Sequence, residues 1–157
     1  MTLAARVLAL VALLFGIAAA SLVAQQRADA ARVRQQLIGS YKLISYVTYD
    51  QNGNTTKRPY SAGQISYDAA GRMSAQLMPE RPTSGSVTAN YIAYFGRYEI
   101  DADKGVVTHH VEGSVSPNML GAAMPRYYEF SPDGATLFLQ TKNGERVTGR
   151  LQWDRYR

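Results

Sequence analysis

The sequence predicts an all-β protein, an antiparallel barrel or sandwich of about eight strands, on three observations. Short segments rich in Tyr, Ile, Val, Leu and Met alternate apolar with polar positions. Gly, Asn, Asp and Pro clusters interrupt them at intervals of about ten residues, as reversals between short strands require. No helical period alternates with the strand period over that span, which removes a doubly wound α/β fold.

The chain starts differently. Met1–Leu10 carries one positive residue, Arg6, and Val7–Ala20 carries no charge. That run matches a signal-peptide core and is short for a bilayer span. Ala18, Ala19 and Ala20 supply small residues for cleavage before Ser21, so residues 1–20 are expected to be a signal peptide and the protein periplasmic or secreted. An uncleaved amphipathic or membrane anchor is the alternative. Removing Arg6 from the 17 basic residues leaves 16 against 12 acidic ones, a charge of +4. The remaining length suits one domain able to bury its own core.

Cysteine is absent, which excludes disulfides, thiol chemistry and thiolate metal sites. Lys42, Lys57, Arg58, Arg72, Arg97, Lys104 and Arg126 are scattered, whereas a nucleic-acid binder concentrates its charge on one face.

Taken in order, residues 21–36 read as a polar helical lead-in, with Ala30, Val33 and Leu37 on one weak stripe and Gly39 as its stop. Ser40–Tyr49 is a strand with Tyr41, Leu43, Ser45 and Val47 on one side and Lys42, Ile44, Tyr46 and Thr48 on the other. Asn52-Gly53 reverses it. Strands follow at Gly63–Tyr67, Arg72–Leu77, Phe95–Ile100, Met124–Phe130, Thr136–Thr141 and Arg146–Tyr156. Met78–Ser86, with Pro79 and Pro82, breaks the rhythm, and Val87–Phe95 reads as a short helix with Tyr91 and Phe95 one turn apart. Together they suit a lid over a barrel end, or a surface loop tied down by its tyrosines.

Gly105–Asn118 holds both histidines on one long strand. The pleat places Val107, His109, Val111 and Val115 on one face and Thr108, His110, Glu112 and Ser114 on the other. The valine face looks into the core, so His109 is the lone polar group among apolar neighbours.

Leu37-Ile38-Gly39-Ser40-Tyr41-Lys42-Leu43-Ile44-Ser45-Tyr46 resembles the opening of the bacterial and fungal lipocalin-like domain proteins, which read Gly-x-Trp-x-Leu-x-Ser there. Gly63–Tyr67 with Gly71–Leu77, Ala93–Tyr98, Val107–Glu112, Pro117-Asn118, Gly121 and Leu151–Arg155 continue the match in order, over residues 37–156. Tyr41 replaces the usual Trp. The resemblance implies an up-and-down lipocalin-like β-barrel over residues 37–157, in a family whose members mostly lack an assigned activity.

A closed barrel pairs its first and last strands. Tyr41, Trp153 and Arg155 then meet at one end, where we read them as a structural plug. Ile65, Tyr67, Met73, Ala75, Leu77, Tyr98, Ile100, Leu137 and Leu139 form the inward set. Tyr67, Met73, Tyr94, Tyr98, His109 and Tyr127 (or Tyr128 in its stead) are the candidate ligand contacts. The alternative is a filled barrel in which His109 merely bonds Tyr67 or Tyr98.

Adjacent histidines on opposite faces cannot chelate one ion, and His110 with Glu112 falls short of a zinc set, so no metal is expected. No nucleophile elbow or phosphate-binding glycine loop is present, and no cofactor is expected. Acid–base catalysis by His109, or by His110 paired with Glu112, remains as a cyclase or isomerase reading. The expectation is an exported barrel that binds a small apolar or amphipathic molecule, without nucleic acid and without membrane insertion after leader removal. A filled barrel used for protein contacts, with exposed Tyr46, Tyr49 and Tyr60, is the third reading.

Overall fold

The computed structural model describes residues 21–79 and 91–156. The expected leader and most of the expected lid loop, residues 80–90, lie outside them. Residues 21–37 are helical, and then come β1 (Gly39–Tyr49), β2 (Thr55–Lys57), β3 (Ala62–Tyr67), β4 (Arg72–Met78) and β5 (Ile92–Asp101). β6 (Val106–Ser114), a 3-10 turn (Pro117–Met119), β7 (Ala123–Phe130), β8 (Thr136–Asn143) and β9 (Arg146–Arg155) complete the order.

Each strand from β3 to β9 pairs antiparallel with the next, and β9 returns to β1. Closure removes the edges that would otherwise expose unpaired backbone. β2 takes the far half of one flank of β1 and β3 the near half, so nine strands occupy eight positions around the barrel. The short helix expected at Val87–Phe95 does not form over 92–95. Those residues pair with β4 and β6 as the start of β5, because two neighbouring strands satisfy their backbone groups.

Alternation put the expected inward set in the core, with Ile65, Tyr67, Met73, Ala75, Leu77, Tyr98, Leu137 and Leu139 all buried and Ile100 partly so. Two bulges revise the faces elsewhere. The β1–β9 register shifts between Leu43 and Ser45, which leaves Ile44 exposed and turns Tyr46 inward. The β5–β6 register skips Glu112, so Ser114 faces Tyr94 and Val115 emerges exposed beyond the strand end. Gly96 permits that second bulge. A Cβ there would meet the His110 carbonyl oxygen at 1.9 Å.

The helix closes one end of the barrel. Val33 and Leu37 are buried against the core, at the weak stripe read from the sequence, while most of residues 21–32 is exposed. The Tyr41 hydroxyl donates to the Gln36 carbonyl at 2.7 Å, and Arg155 donates to the Ile38 carbonyl at 2.8 Å. The Arg155 guanidinium lies 4.6 Å from the Tyr41 ring centre and also bonds its hydroxyl and the Gln36 carbonyl. Gly39, at φ 137°, makes this approach possible, since a Cβ would collide with Arg155. Tyr41 and Arg155 of the expected plug therefore meet, with the helix C-terminus as their lid, whereas Trp153 is buried on the cavity side instead. Among the described residues no helix is long and apolar enough to cross a membrane.

Candidate functional site

His109 is fully buried and holds a hydrogen bond on each ring nitrogen. The Tyr67 hydroxyl is 2.8 Å from Nε2 and the Tyr94 hydroxyl 3.0 Å from Nδ1. Three strands supply the three side chains: β3 gives Tyr67, β5 gives Tyr94 and β6 gives His109. Their alternation within each strand aims all of them inward. The Tyr67 ring then meets the Tyr98 ring edge-on, with centres 5.2 Å apart, and the Tyr98 hydroxyl donates to the Asp68 carbonyl.

Burial dominates the electrostatics. It pushes His109 well below the ordinary imidazole value, and the Arg126 charge and then the neighbouring His110 push the same way. His109 is therefore neutral near pH 7. Burial likewise raises Tyr67 well above the usual phenol value, and Tyr94 above it. The Arg126 guanidinium beside Tyr94 opposes that rise.

Above this triad, away from the helix, lies a cavity of about 110 Å³. Its wall is largely Ile65, Leu77, Ile92, Leu139, Leu151 and Trp153, with Met119 from the 3-10 turn. Tyr46, Tyr94, Thr141 and Arg126 bring polar groups to it. An engineered apolar cavity of about 150 Å³ holds one benzene, so this space accepts one small group. The residues that flank segment 80–90, Met78 and Ile92, lie at this end of the barrel.

The structure separates the sequence candidates. Tyr94 lines the cavity. Tyr67 and His109 stand behind it as its hydrogen-bonded support. Met73 and Tyr98 belong to the filled half beside the helix. Tyr127 does not reach the interior: His109 faces Met124 across the β6–β7 ladder, so Met124, Arg126, Tyr128 and Phe130 share the inner face. Tyr127 points outward, where the Lys142 ammonium covers its ring at 4.0 Å.

His110 and Glu112 are also on the outer wall, and they do not pair with each other. Glu112 accepts from Arg72 at 2.6 and 3.0 Å and from Arg97 at 3.0 Å. The His110 Nε2 is 3.2 Å from the Glu99 carboxylate without hydrogen-bond alignment. Among the described residues no cluster of three His, Asp or Glu side chains converges as a metal site would need.

Arg126, Tyr46, Trp153, Met119 and Thr141 were missed as cavity residues. A signal for Arg126 was present: Met124, Tyr128 and Phe130 have its parity, so it is a charge on an apolar face. Tyr46 was hidden by the bulge at Ile44. Trp153 lies deepest of the β9 lining residues, and its indole N–H has no partner among the described residues.

A model of the lipocalin-like domain matches residues 38–156, which is more than half of the chain. Solved chains also match, among them a redesigned β-barrel at 9% identity and a TM-score of 0.44, covering 79% of this chain and 95% of its own. No curated relative matches. On the extent of the domain match, the chain belongs to the lipocalin-like domain family.

Proposed function

We propose that this protein binds a small amphipathic molecule in the cavity at the end of its barrel away from the helix, outside the cytoplasm. The observation that carries the reading is one empty volume of about 110 Å³ with apolar walls and a few convergent polar groups, the usual construction of a small-molecule site. The leader-like first 20 residues support the location. The helix blocks the other end, so the ligand enters past Ile92 and Met119.

The cyclase or isomerase reading is weaker. His109 does not line the cavity, and both its nitrogens are already engaged by Tyr67 and Tyr94. The protein-contact reading keeps only Tyr49 of its three tyrosines, because Tyr46 faces the cavity and Tyr60 is buried, stacked at 6.0 Å on Tyr46.

Native mass spectrometry of the protein purified from its own cell envelope tests binding, alongside N-phenyl-1-naphthylamine as a neutral fluorescent probe. A retained small molecule or probe uptake is expected, with both lost in Ile92→Trp at unchanged melting temperature. No retained mass and no uptake would end the reading. N-terminal sequencing of that material tests export, with Ser21 as the expected first residue.

A further inference from the structure

We infer that the ligand carries an anionic head group, a carboxylate, that enters the cavity and is held by Arg126 and Tyr94. This rests on the binding reading above and names the chemical class of the molecule bound.

Arg126 is the first half of the argument. A guanidinium offers five N–H donors and no acceptor. One terminal nitrogen of Arg126 donates to the Pro125 carbonyl at 2.9 Å, the other meets the weak acceptor Sδ of Met124 at 3.6 Å, and the guanidinium also approaches the Tyr94 hydroxyl. No ion pair of the described residues includes Arg126. A half-buried cation is thus turned to an otherwise apolar wall with donors to spare. Buried or interfacial arginine is normally matched by a planar anion.

The second half is a count of protons. Tyr67, His109 and Tyr94 hold three hydrogens between them, two hydroxyl and one ring N–H, since His109 is neutral. Two contacts join them, so one hydroxyl hydrogen is left over. If it belonged to Tyr67 it would point into closed apolar core with nothing to accept it. The arrangement without that loss has Tyr67 donating to Nε2, and Nδ1–H donating to the Tyr94 oxygen. The tautomer is assigned by this count. Tyr94 then keeps its own hydrogen for the cavity it lines. Its oxygen, which accepts from His109 and lies beside the Arg126 charge, is polarised toward donation.

Two donors, one charged and one neutral, therefore face one small space. They fit the two oxygens of a carboxylate. The volume accommodates the head and a few carbons, and a longer chain leaves over Ile92 and Met119. An apolar ligand would bury Arg126 with its charge unanswered, and a cationic one would be repelled.

The test is calorimetric titration of the full chain as purified with octanoate, 1-octanol and octylamine at pH 7.5. Octanoate is expected to bind about tenfold or more tightly than 1-octanol, the scale of one charge-assisted hydrogen bond, and octylamine most weakly. Arg126→Met should erase the preference of octanoate over 1-octanol. Tyr94→Phe should weaken octanoate selectively, and thermal melts confirm that each variant is folded. Equal affinity for acid and alcohol, or a preference that survives Arg126→Met, overturns the anionic head group and leaves the binding function standing. If none of the three binds and the neutral naphthylamine probe is also refused, the binding function falls and this inference with it.

Discussion

Acidification between pH 7 and pH 5 should destabilise this protein chiefly through His109. The ring is neutral in the fold because burial, reinforced by Arg126 and His110, holds it well below its ordinary value. In the unfolded chain it titrates near 6.5. Below that value the unfolded state takes up a proton that the folded state refuses, so stability falls as pH drops. The slope approaches about 1.4 kcal/mol per pH unit, giving at most about 2 kcal/mol lost by pH 5. For a domain of this size that is a fall of about 4–8 °C in melting temperature. Asp50, Asp101, Asp133 and Glu112 do not confuse the window. Hydrogen bonds from Asn54, Lys104, Ser131 and Arg72 hold them low, so their contributions persist above the ordinary carboxylate range. They are lost only as pH falls through the depressed values, below about pH 4. His109→Gln keeps an amide able to donate to one tyrosine and accept from the other, and His110 is common to both proteins. Urea unfolding at pH 7, 6 and 5 should therefore give a falling line for the native sequence and a nearly flat one for His109→Gln. Parallel lines would refute the neutral buried ring.

Removing the Tyr67 hydroxyl in Tyr67→Phe leaves Nε2 of His109 unmatched inside the core, and urea unfolding should register a loss of about 1–3 kcal/mol. Glu112→Gln cuts the contacts to Arg72 and Arg97 on the exposed wall, so its melting temperature should move much less than that of Tyr67→Phe. Leu37→Ala should cost about 2–5 kcal/mol in the same unfolding assay, because Leu37 is fully buried under the barrel end. Arg155→Lys should also destabilise, since an ammonium cannot reproduce the planar fork that reaches Gln36, Ile38 and Tyr41.

The barrel was legible because period-2 alternation and turn residues are local properties, and both strand order and inward set followed from them. What was not legible depended on single residues that break the count. One extra residue at Ile44 reversed Tyr46, and one at Glu112 reversed Val115, although neither has a distinctive side chain. Tyr127 was preferred to Tyr128 because two adjacent tyrosines give parity no purchase, and only the His109–Met124 pairing across β6 and β7 decided between them. The helix expected over 87–95 reflected a real i, i+4 aromatic spacing, but from Ile92 onward cross-strand hydrogen bonds outweigh so weak a local preference. His109 was correctly placed inside, yet its two tyrosine partners come from β3 and β5, distant in sequence. No spacing rule predicts such a meeting.

That meeting explains why a histidine occupies a position an apolar residue could fill. A phenol facing an apolar cavity from a β-strand is free to rotate, and its hydroxyl direction is then unfixed. Bonded to Nδ1 of a ring whose Nε2 is held by Tyr67, the Tyr94 oxygen has one location and one remaining hydrogen. The arrangement leaves neither ring nitrogen of His109 unmatched in the core, and its one spare hydrogen is the Tyr94 hydroxyl hydrogen at the cavity. It also divides the barrel. Toward the helix, Tyr41, Tyr67, Met73, Tyr98 and Leu137 fill the interior; away from it, the rings of Tyr46, Tyr94 and Trp153 border a space they do not close. An imidazole with both nitrogens engaged in orienting a phenol has none free to move a proton, so His109→Leu, which removes both hydrogen bonds, should weaken Tyr94-dependent affinity for octanoate. Unchanged octanoate affinity in that variant would show that Tyr94 needs no such support.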